Sequence, residues 1–340
     1  MEQTMEDYSC GERQYQPGPT VANRANGQNT LFRPFTSDSS LGTKIVVEYP
    51  AGPNGHKDPI RGIIVLCDGK GNPSGILASE EVTGYRTSMN VMVPFSWRKH
   101  VENIVIFGSG LQALWHTRLI LTLRGEEVNN ITYVSSTKSR VDKLIETVSD
   151  ENQKHWKSSC SFDFLDNTTP DFLAQLGARL SEVDCIFCCT PSRKPLFPAS
   201  LVADDKPRKP FIAAVGSWQT EMIELDPSLL RSVVTNNNGY NPLTGENNGV
   251  ILVDDRDFAL RSCGEVVQSQ LASSQIVEAG EIIALKKEKP TSKPSNGCIQ
   301  KMDDFISDGL VIYKSVGLSL TDLTVSNAIL AQARKNKQGL

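Results

Sequence analysis

The stretch Gly108-Ser109-Gly110-Leu111-Gln112-Ala113 follows the apolar run Asn103–Phe107 and opens a run of helix formers. That spacing suits a phosphate ligand. Gly108 permits a tight turn, Gly110 lets the backbone approach a pyrophosphate, and Ala113 is small enough for the helix to pack on the strand. The anion would sit at the helix N-terminus, where free N–H groups and the helix dipole favour negative charge. The plainer alternative is a strand–glycine–helix turn with no ligand, and the strand-to-helix context weighs against it.

The next apolar strand, Ile131–Ser135, runs into Ser135-Ser136-Thr137-Lys138-Ser139-Arg140. A site for NAD(H) places Asp or Glu here, against the ribose hydroxyls. This chain has no carboxylate, a row of hydroxyls and two cations, which suits the 2′-phosphate of NADP(H). The same hydroxyls also serve as caps for the following helix, and both readings hold together. Two further cations are ambiguous alone. Lys44 lies in a strand between Thr43 and Ile45, where a lysine is ordinarily solvated. Arg86 lies beside Val82, Tyr85 and Met89, where an arginine ordinarily snorkels.

Eight cysteines are present. Cys185 and Cys188 have a suggestive spacing, but no second Cys or His pair stands at zinc spacing. In a strand the two point to opposite faces. They read as reduced structural thiols of a cytoplasmic protein, with no metal.

The elements that must hold these residues come in two styles. Lys44–Tyr49, Gly62–Cys67 and Gly75–Ala78 are short β-branched runs separated by turn residues, a small antiparallel meander. Ser79-Glu80-Glu81 then opens a helix that Pro94 and Trp97 end. After His100 strands alternate with helices. Strands are expected at Asn103–Phe107, Ile131–Ser135, Ser161–Leu165, Val183–Cys189, Pro210–Val215 and Val250–Val253. The helix from Gly110 to Arg124 would be closed by Gly125 as a left-handed cap. Another carries Val141, Leu144, Ile145 and Val148 on one face. This alternation predicts an α/β fold with a doubly wound parallel sheet of Rossmann type. The first 30 residues show no period. Thr235–Asn248 and Lys286–Gly297 read as loop and linker, and a strand Leu310–Lys314 precedes a final amphipathic helix from Leu318 to Lys335.

The 340 residues suit two domains. Lys+Arg is 35 and Asp+Glu is 39, so the net charge is 35 − 39 = −4, which argues against a nucleic-acid partner. No apolar run is long enough to span a membrane, and the acidic stretch Met1–Asp7 does not read as a targeting signal.

Further stretches complete an ordered series: Gly42-Thr43-Lys44, Arg86-Thr87, Thr190-Pro191-Ser192, Val215-Gly216-Ser217, Glu224-Leu225-Asp226, Val253-Asp254-Asp255-Arg256, and Tyr313-Lys314-Ser315-Val316-Gly317-Leu318 with Asp322. Together with the glycine loop and its Gln112, these resemble the ornithine cyclodeaminase/mu-crystallin family from about Tyr15 to the C-terminus. The resemblance implies a Rossmann domain over 99–311, with a loop insertion near 235–248. It also implies a smaller α+β domain from 1–98 plus 312–340, which binds substrate and forms a homodimer through its sheet. Lys44 and Arg86 become the catalytic candidates, holding the carboxylate of a small amino- or imino-acid substrate. The cofactor candidates are Gly108, Gly110, Leu111, Gln112, Ser135, Ser136, Thr137, Lys138, Arg140, Thr190, Ser192, Val215 and Gly317.

Departures from the family pattern shape the functional expectation. Cyclodeaminases carry an aspartate where this chain has Trp218, and tryptophan cannot act as a general base. A second family arginine falls on Pro19, with Arg24 or Arg33 as substitutes. Both chain ends look shortened. The first expectation is therefore an NADPH-dependent reductase of cyclic or secondary ketimine carboxylates. The alternatives are an ornithine cyclodeaminase, with Glu221 as the deputising acid, and a non-catalytic NADPH-dependent ligand-binding protein.

Overall fold

The computed structural model describes residues 1–50, 60–202, 209–216, 219–235, 239–287 and 296–338. The chain divides into two compact units, residues 1–86 with 318–340, and residues 87–317.

The first unit is built on an antiparallel sheet of five strands in sequential order: β1 (Thr20–Asn23), β2 (Asn29–Thr36), β3 (Ser40–Glu48), β4 (Arg61–Asp68) and β5 (Pro73–Ala78). The expected meander has three strands. The other two lie in and just after the segment that lacks a period, because β1 is exposed along its whole length and shows no alternation. That segment also forms the helix α1 (Glu2–Cys10), which buries Thr4, Met5 and Tyr8. α2 (Ser79–Ser96) follows β5 and contains Pro94 rather than stopping at it. The C-terminal helix is α11 (Ser319–Gln338).

Alternation gives the sheet two unlike faces. Phe35, Lys44, Ile64 and Leu66 are buried on one. α11 lies against that sheet; Asn327 donates to Ser40 Oγ at 2.8 Å, and a Cβ at Gly75 would stand 2.8 Å from Leu330. The opposite face carries Phe32, Leu41, Ile63 and Ile76, exposed to 38%, 38%, 41% and 66%.

The second unit is an eight-stranded parallel sheet. Its strands are β6 (Asn103–Phe107), β7 (Asn130–Ser135), β8 (Ser161–Asp166), β9 (Cys185–Cys188), β10 (Phe211–Ala214), β11 (Ile251–Val253), β12 (Ile276–Glu278) and β13 (Val311–Lys314). Their order is β12-β11-β13-β10-β9-β6-β7-β8. The helices between are α3 (Leu111–Arg124), α4 (Lys138–Glu151), α5 (Phe172–Leu180), α6 (Pro227–Thr235), α7 (Arg256–Ser262), α8 (Gly264–Ser269), α9 (Ala279–Lys287) and α10 (Asn296–Asp308). The sheet is doubly wound α/β, as the alternation predicts. Its core is continuous across the strands, with Val105, Phe107, Ile186, Ile212, Ile251 and Ile312 in one cluster.

Two local expectations need correction. The expected boundary places residues 312–340 with the smaller domain. β13 instead pairs in parallel with both β10 and β11, so the division falls after Gly317. Gly125 is not the left-handed cap that its position suggests. Its φ is −60°, and its N–H donates to Leu121 O at 3.1 Å. A Cβ there would stand 2.4 Å from Leu121 O, so close approach rather than handedness excludes a side chain. The stretch 239–250 contains no helix or strand, in keeping with a loop.

Candidate functional site

In the parallel sheet the order reverses beside β6: β7 and β8 continue on one side, and the chain then crosses to β9 on the other. In open α/β sheets ligands bind outside the carboxyl ends of strands at such a switch point. The glycine loop occupies that place, between β6 and α3. Gly108 has φ +113°, a value that favours glycine, and its N–H donates to Val134 O. A Cβ at Gly108 would stand 2.8 Å from Cys189 O. Gly110 is the N-cap of α3, and a Cβ there would meet nothing within 4 Å. Packing within the protein therefore gives no reason for glycine at 110, whereas a ligand close to the backbone would. Ala113 is fully buried. Leu111 and Gln112 form the first turn of α3, whose leading N–H groups have no helical partner.

Beneath this loop lies a buried polar group that sequence reasoning missed. His116 Nδ1 is 2.7 Å from Gln112 O and 3.0 Å from Ser88 Oγ, and His116 and Ser88 are fully buried. Burial pushes the imidazole down to about 4, so it stays neutral at ordinary pH.

The residues expected against the adenosine ribose follow β7. Ser135 Oγ is 3.2 Å from Ser109 Oγ and accepts from Thr137 N, which ties the glycine loop to the next turn. Ser136, Lys138 and Arg140 are exposed. Lys138 Nζ lies 2.7 Å from Asp142 Oδ1, one helical turn along α4, in a solvent-exposed pair that is weak enough to yield to a phosphate. Thr190, Ser192 and Val215 leave β9 and β10 at the same edge. Ser192 Oγ donates to Lys194 O and accepts from Lys194 N. Gly317, after β13, has φ +83°, is buried, and donates its N–H to Asp254 Oδ2 at 2.8 Å. Asp254 also accepts from Ser315 Oγ and Val316 N. The glycine is thus spent on a tight turn and its N–H on a carboxylate.

In the antiparallel unit, the bland readings of Lys44 and Arg86 fail. Both are buried, at 3% and 5% exposure. Lys44 Nζ lies 2.8 Å from Asp322 Oδ2, and Arg86 Nε lies 3.1 Å from Asp322 Oδ1. Asp322 is fully buried in the first turn of α11. Lys44 Nζ also donates to Thr83 Oγ1 at 3.4 Å. Arg33 stands directly opposite Lys44 across β2 and β3, and its charge bears on both Lys44 and Asp322. Arg24, the other substitute considered, lies in the exposed β1–β2 turn.

Three cations therefore surround one buried carboxylate, and the Nη1 of Arg86 is buried with no hydrogen-bond partner among the described residues. The charges act on one another. Burial lowers the Lys44 pKa to about 7, opposed by Asp322 and reinforced by Arg86 and Arg33. Burial alone would raise Asp322, yet Arg86, Lys44 and Arg33 hold it below the ordinary carboxylate range. Asp322 stands in the ordered series of matches, but its pairing with Lys44 and Arg86 shows only in the fold.

No disulfide joins any of the eight cysteines, and no cluster of metal-ligating side chains occurs among the described residues. Cys185 and Cys188 are fully buried, and burial raises both thiols. Trp218, expected at the aspartate position of cyclodeaminases, lies outside the described residues. No helix among those described is long and apolar enough to cross a membrane.

No family model matches the chain. A protein of Dictyostelium discoideum described as an uncharacterized cyclodeaminase is 27% identical over 321 residues, covering 92% of this chain and 81% of that one. A Delta(1)-pyrroline-2-carboxylate reductase of Bacillus cereus is 24% identical over 340 residues, covering 97% and 89%. The solved structure of Thermococcus litoralis Delta(1)-pyrroline-2-carboxylate reductase, in complex with NADH and L-proline, superposes with TM-score 0.73 at 18% identity, covering 99% and 92%. That likeness is one of fold.

Proposed function

From the premise that the chain belongs to the ornithine cyclodeaminase/mu-crystallin family, we propose that it is a nicotinamide-dependent reductase of imines formed from 2-oxo acids. The substrate is a cyclic or secondary ketimine carboxylate and the product the corresponding amino acid. The observation that carries the reading is the cation group Lys44, Arg86 and Arg33 around Asp322, with Arg86 Nη1 unpartnered. It can take a second carboxylate, here the substrate's, through a charge-assisted contact. Lys44, at about 7, can exchange a proton near neutrality, which fits an imine nitrogen that gains one on reduction.

The open space before Gly110 and the turn at Gly108 fit a dinucleotide pyrophosphate. When bound, the nicotinamide supplies the hydride. Ser135, Ser136, Thr137 and Arg140 offer hydroxyls and a cation, and no carboxylate, to the ribose; this favours NADP(H) over NAD(H). Leu111, Gln112, Thr190, Ser192 and Val215, with Lys138 beside the 2′-phosphate, complete the proposed cofactor site, while the N–H of Gly317 is held by Asp254. The apolar outer face of the antiparallel sheet supports a homodimer formed through that sheet. Eight cysteines with no disulfide among them fit a reducing, cytoplasmic setting.

A cyclodeaminase reading is kept because one relative carries that description. It needs a catalytic acid at the position of Trp218, and Glu221 is the nearest substitute. One experiment separates the readings. The protein is incubated with NADPH or NADH and a panel of cyclic ketimines and 2-oxo acid/amine pairs, and separately with ornithine. Net nucleotide oxidation with a ketimine is expected. Steady ammonia release from ornithine would instead make it a cyclodeaminase, and binding without turnover a ligand-binding protein.

A further inference from the structure

Glu224 lies in the segment before α6, fully buried, and both oxygens of its carboxylate are engaged. Oε1 accepts from Thr190 N at 2.6 Å and from Thr190 Oγ1 at 2.9 Å. Oε2 accepts from Gly216 N at 2.7 Å and lies 3.7 Å from Lys314 Nζ. Lys314, the last residue of β13, is also fully buried and sits 3.0 Å from Glu265 Oε1. The two chain segments thus joined, after β9 and after β10, leave adjacent parallel strands at the carboxyl edge of the sheet.

The join is tight. A Cβ on Gly216 would stand 1.9 Å from Thr190 O and 2.8 Å from the Glu224 carboxyl carbon, so no side chain fits. The backbone adds to it: Ile223 N donates to Ser192 O, and Leu196 N donates to Glu224 O. One carboxylate thus bridges Thr190 and Gly216, and backbone hydrogen bonds reinforce the join.

We propose that Glu224 is a positioning residue for the dinucleotide, its buried carboxylate fixing the loops after β9 and β10 relative to each other so that they present one preformed edge to the cofactor. This rests on the reading of the second unit as a nicotinamide-dinucleotide site. Burial raises the Glu224 pKa, and Lys314, on the strand between β10 and β11, opposes that shift and so favours the carboxylate form that can accept from both loops. An amide in its place has one acceptor oxygen and a donor NH2 that would face a backbone N–H, so it can satisfy one loop only.

The test uses the full chain and its Glu224→Gln and Glu224→Asp variants. NADPH and NADH titrations by fluorescence are combined with ketimine kinetics and hydrogen exchange at Thr190 and Gly216. In Glu224→Gln the Kd for the nucleotide is expected to rise about tenfold or more, as for loss of one charged hydrogen bond, and kcat to fall. The KM for ketimine should move less, and exchange at both amides should speed up. Glu224→Asp, which keeps the charge but retracts it, should recover part of the affinity. A folded Glu224→Gln protein with wild-type Kd and kcat overturns the inference. If that variant does not fold, Glu224→Asp decides, and wild-type affinity there overturns it equally. A wild-type protein that binds neither nucleotide overturns the functional reading, and this inference with it.

Discussion

Lys44 Nζ on β3 and Asp322 Oδ2 on α11 are 2.8 Å apart although 278 residues separate them in the chain. The two ends of the polypeptide are thus joined by a buried ion pair, and Arg86 makes it a triad. Such a pair is strongly destabilising to break, because a charge is left buried without its counterion. Asp322→Asn is therefore expected to lower stability by about 3–5 kcal/mol in urea denaturation. The dependence on pH follows the same carboxylate. Its pKa is held below the ordinary value, so its contribution is present above the unfolded pKa and lost as pH falls through the folded one. Acid unfolding should accordingly flatten in Asp322→Asn, and a variant as stable as wild type would contradict a stabilising role for the pair.

Lys44 makes anion binding depend on pH. A carboxylate ligand favours the protonated lysine, so binding should take up a proton. Affinity for L-proline, used as a product-like probe, should fall as pH rises through about 7. Arg33 depresses the same lysine, so Arg33→Ala should shift that midpoint to higher pH. Calorimetric titration in buffers of different ionisation enthalpy measures the uptake, and pH-independent binding would refute it.

Arg86 is expected to contact the substrate carboxylate through the nitrogen that Asp322 does not use. Arg86→Ala should reduce kcat/KM by about ten- to 150-fold, corresponding to about 1.5–3 kcal/mol for a charge-assisted contact. Arg86→Lys should restore only part of it, since a point charge cannot form the fork. Near wild-type kinetics in Arg86→Ala would leave the arginine a structural partner of Asp322 alone.

Gly110 faces open space, so a side chain there should fold without a clash and still obstruct a ligand. Gly110→Val is expected to keep its thermal midpoint and lose nucleotide binding. Ser136→Asp, on an exposed position beside the proposed 2′-phosphate, should turn a preference for NADPH into one for NADH. Titration of both nucleotides reads both effects, and wild-type NADPH affinity in Gly110→Val would place the pyrophosphate elsewhere.

The outer face of the antiparallel sheet offers Phe32, Leu41, Ile63 and Ile76 to its surroundings. Contiguous apolar exposure of this kind marks an association surface. Ile63→Lys should convert a dimer to a monomer in light scattering, with little change in nucleotide affinity. A wild-type protein that is monomeric at micromolar concentration would dismiss the homodimer.

Sequence alone determined what depends on near neighbours. The alternation of strands and helices, the glycine turn before α3 and the lack of a carboxylate after β7 are all local properties, set by side-chain period and by backbone freedom at Gly108. They are enough for the α/β class and for the loop that a dinucleotide would meet. Tertiary structure decided what depends on residues far apart in the chain. On local grounds alone Lys44 and Arg86 read as surface cations, and only the family resemblance singles them out; folding places Asp322 between them, a partner that nothing in their own neighbourhoods announces. Glu224 stands in a series of matches, but its bonds to Thr190 and Gly216 exist only because β9 and β10 lie side by side. β13 ends far along the chain yet pairs between β10 and β11, which moves the unit boundary past it. Gly125 has the position of a left-handed cap after a helix, yet it is glycine because Leu121 O leaves no room for a Cβ. Periodicity reports which face of an element is apolar; which charges and strands that face will meet is decided by the packing of the whole chain.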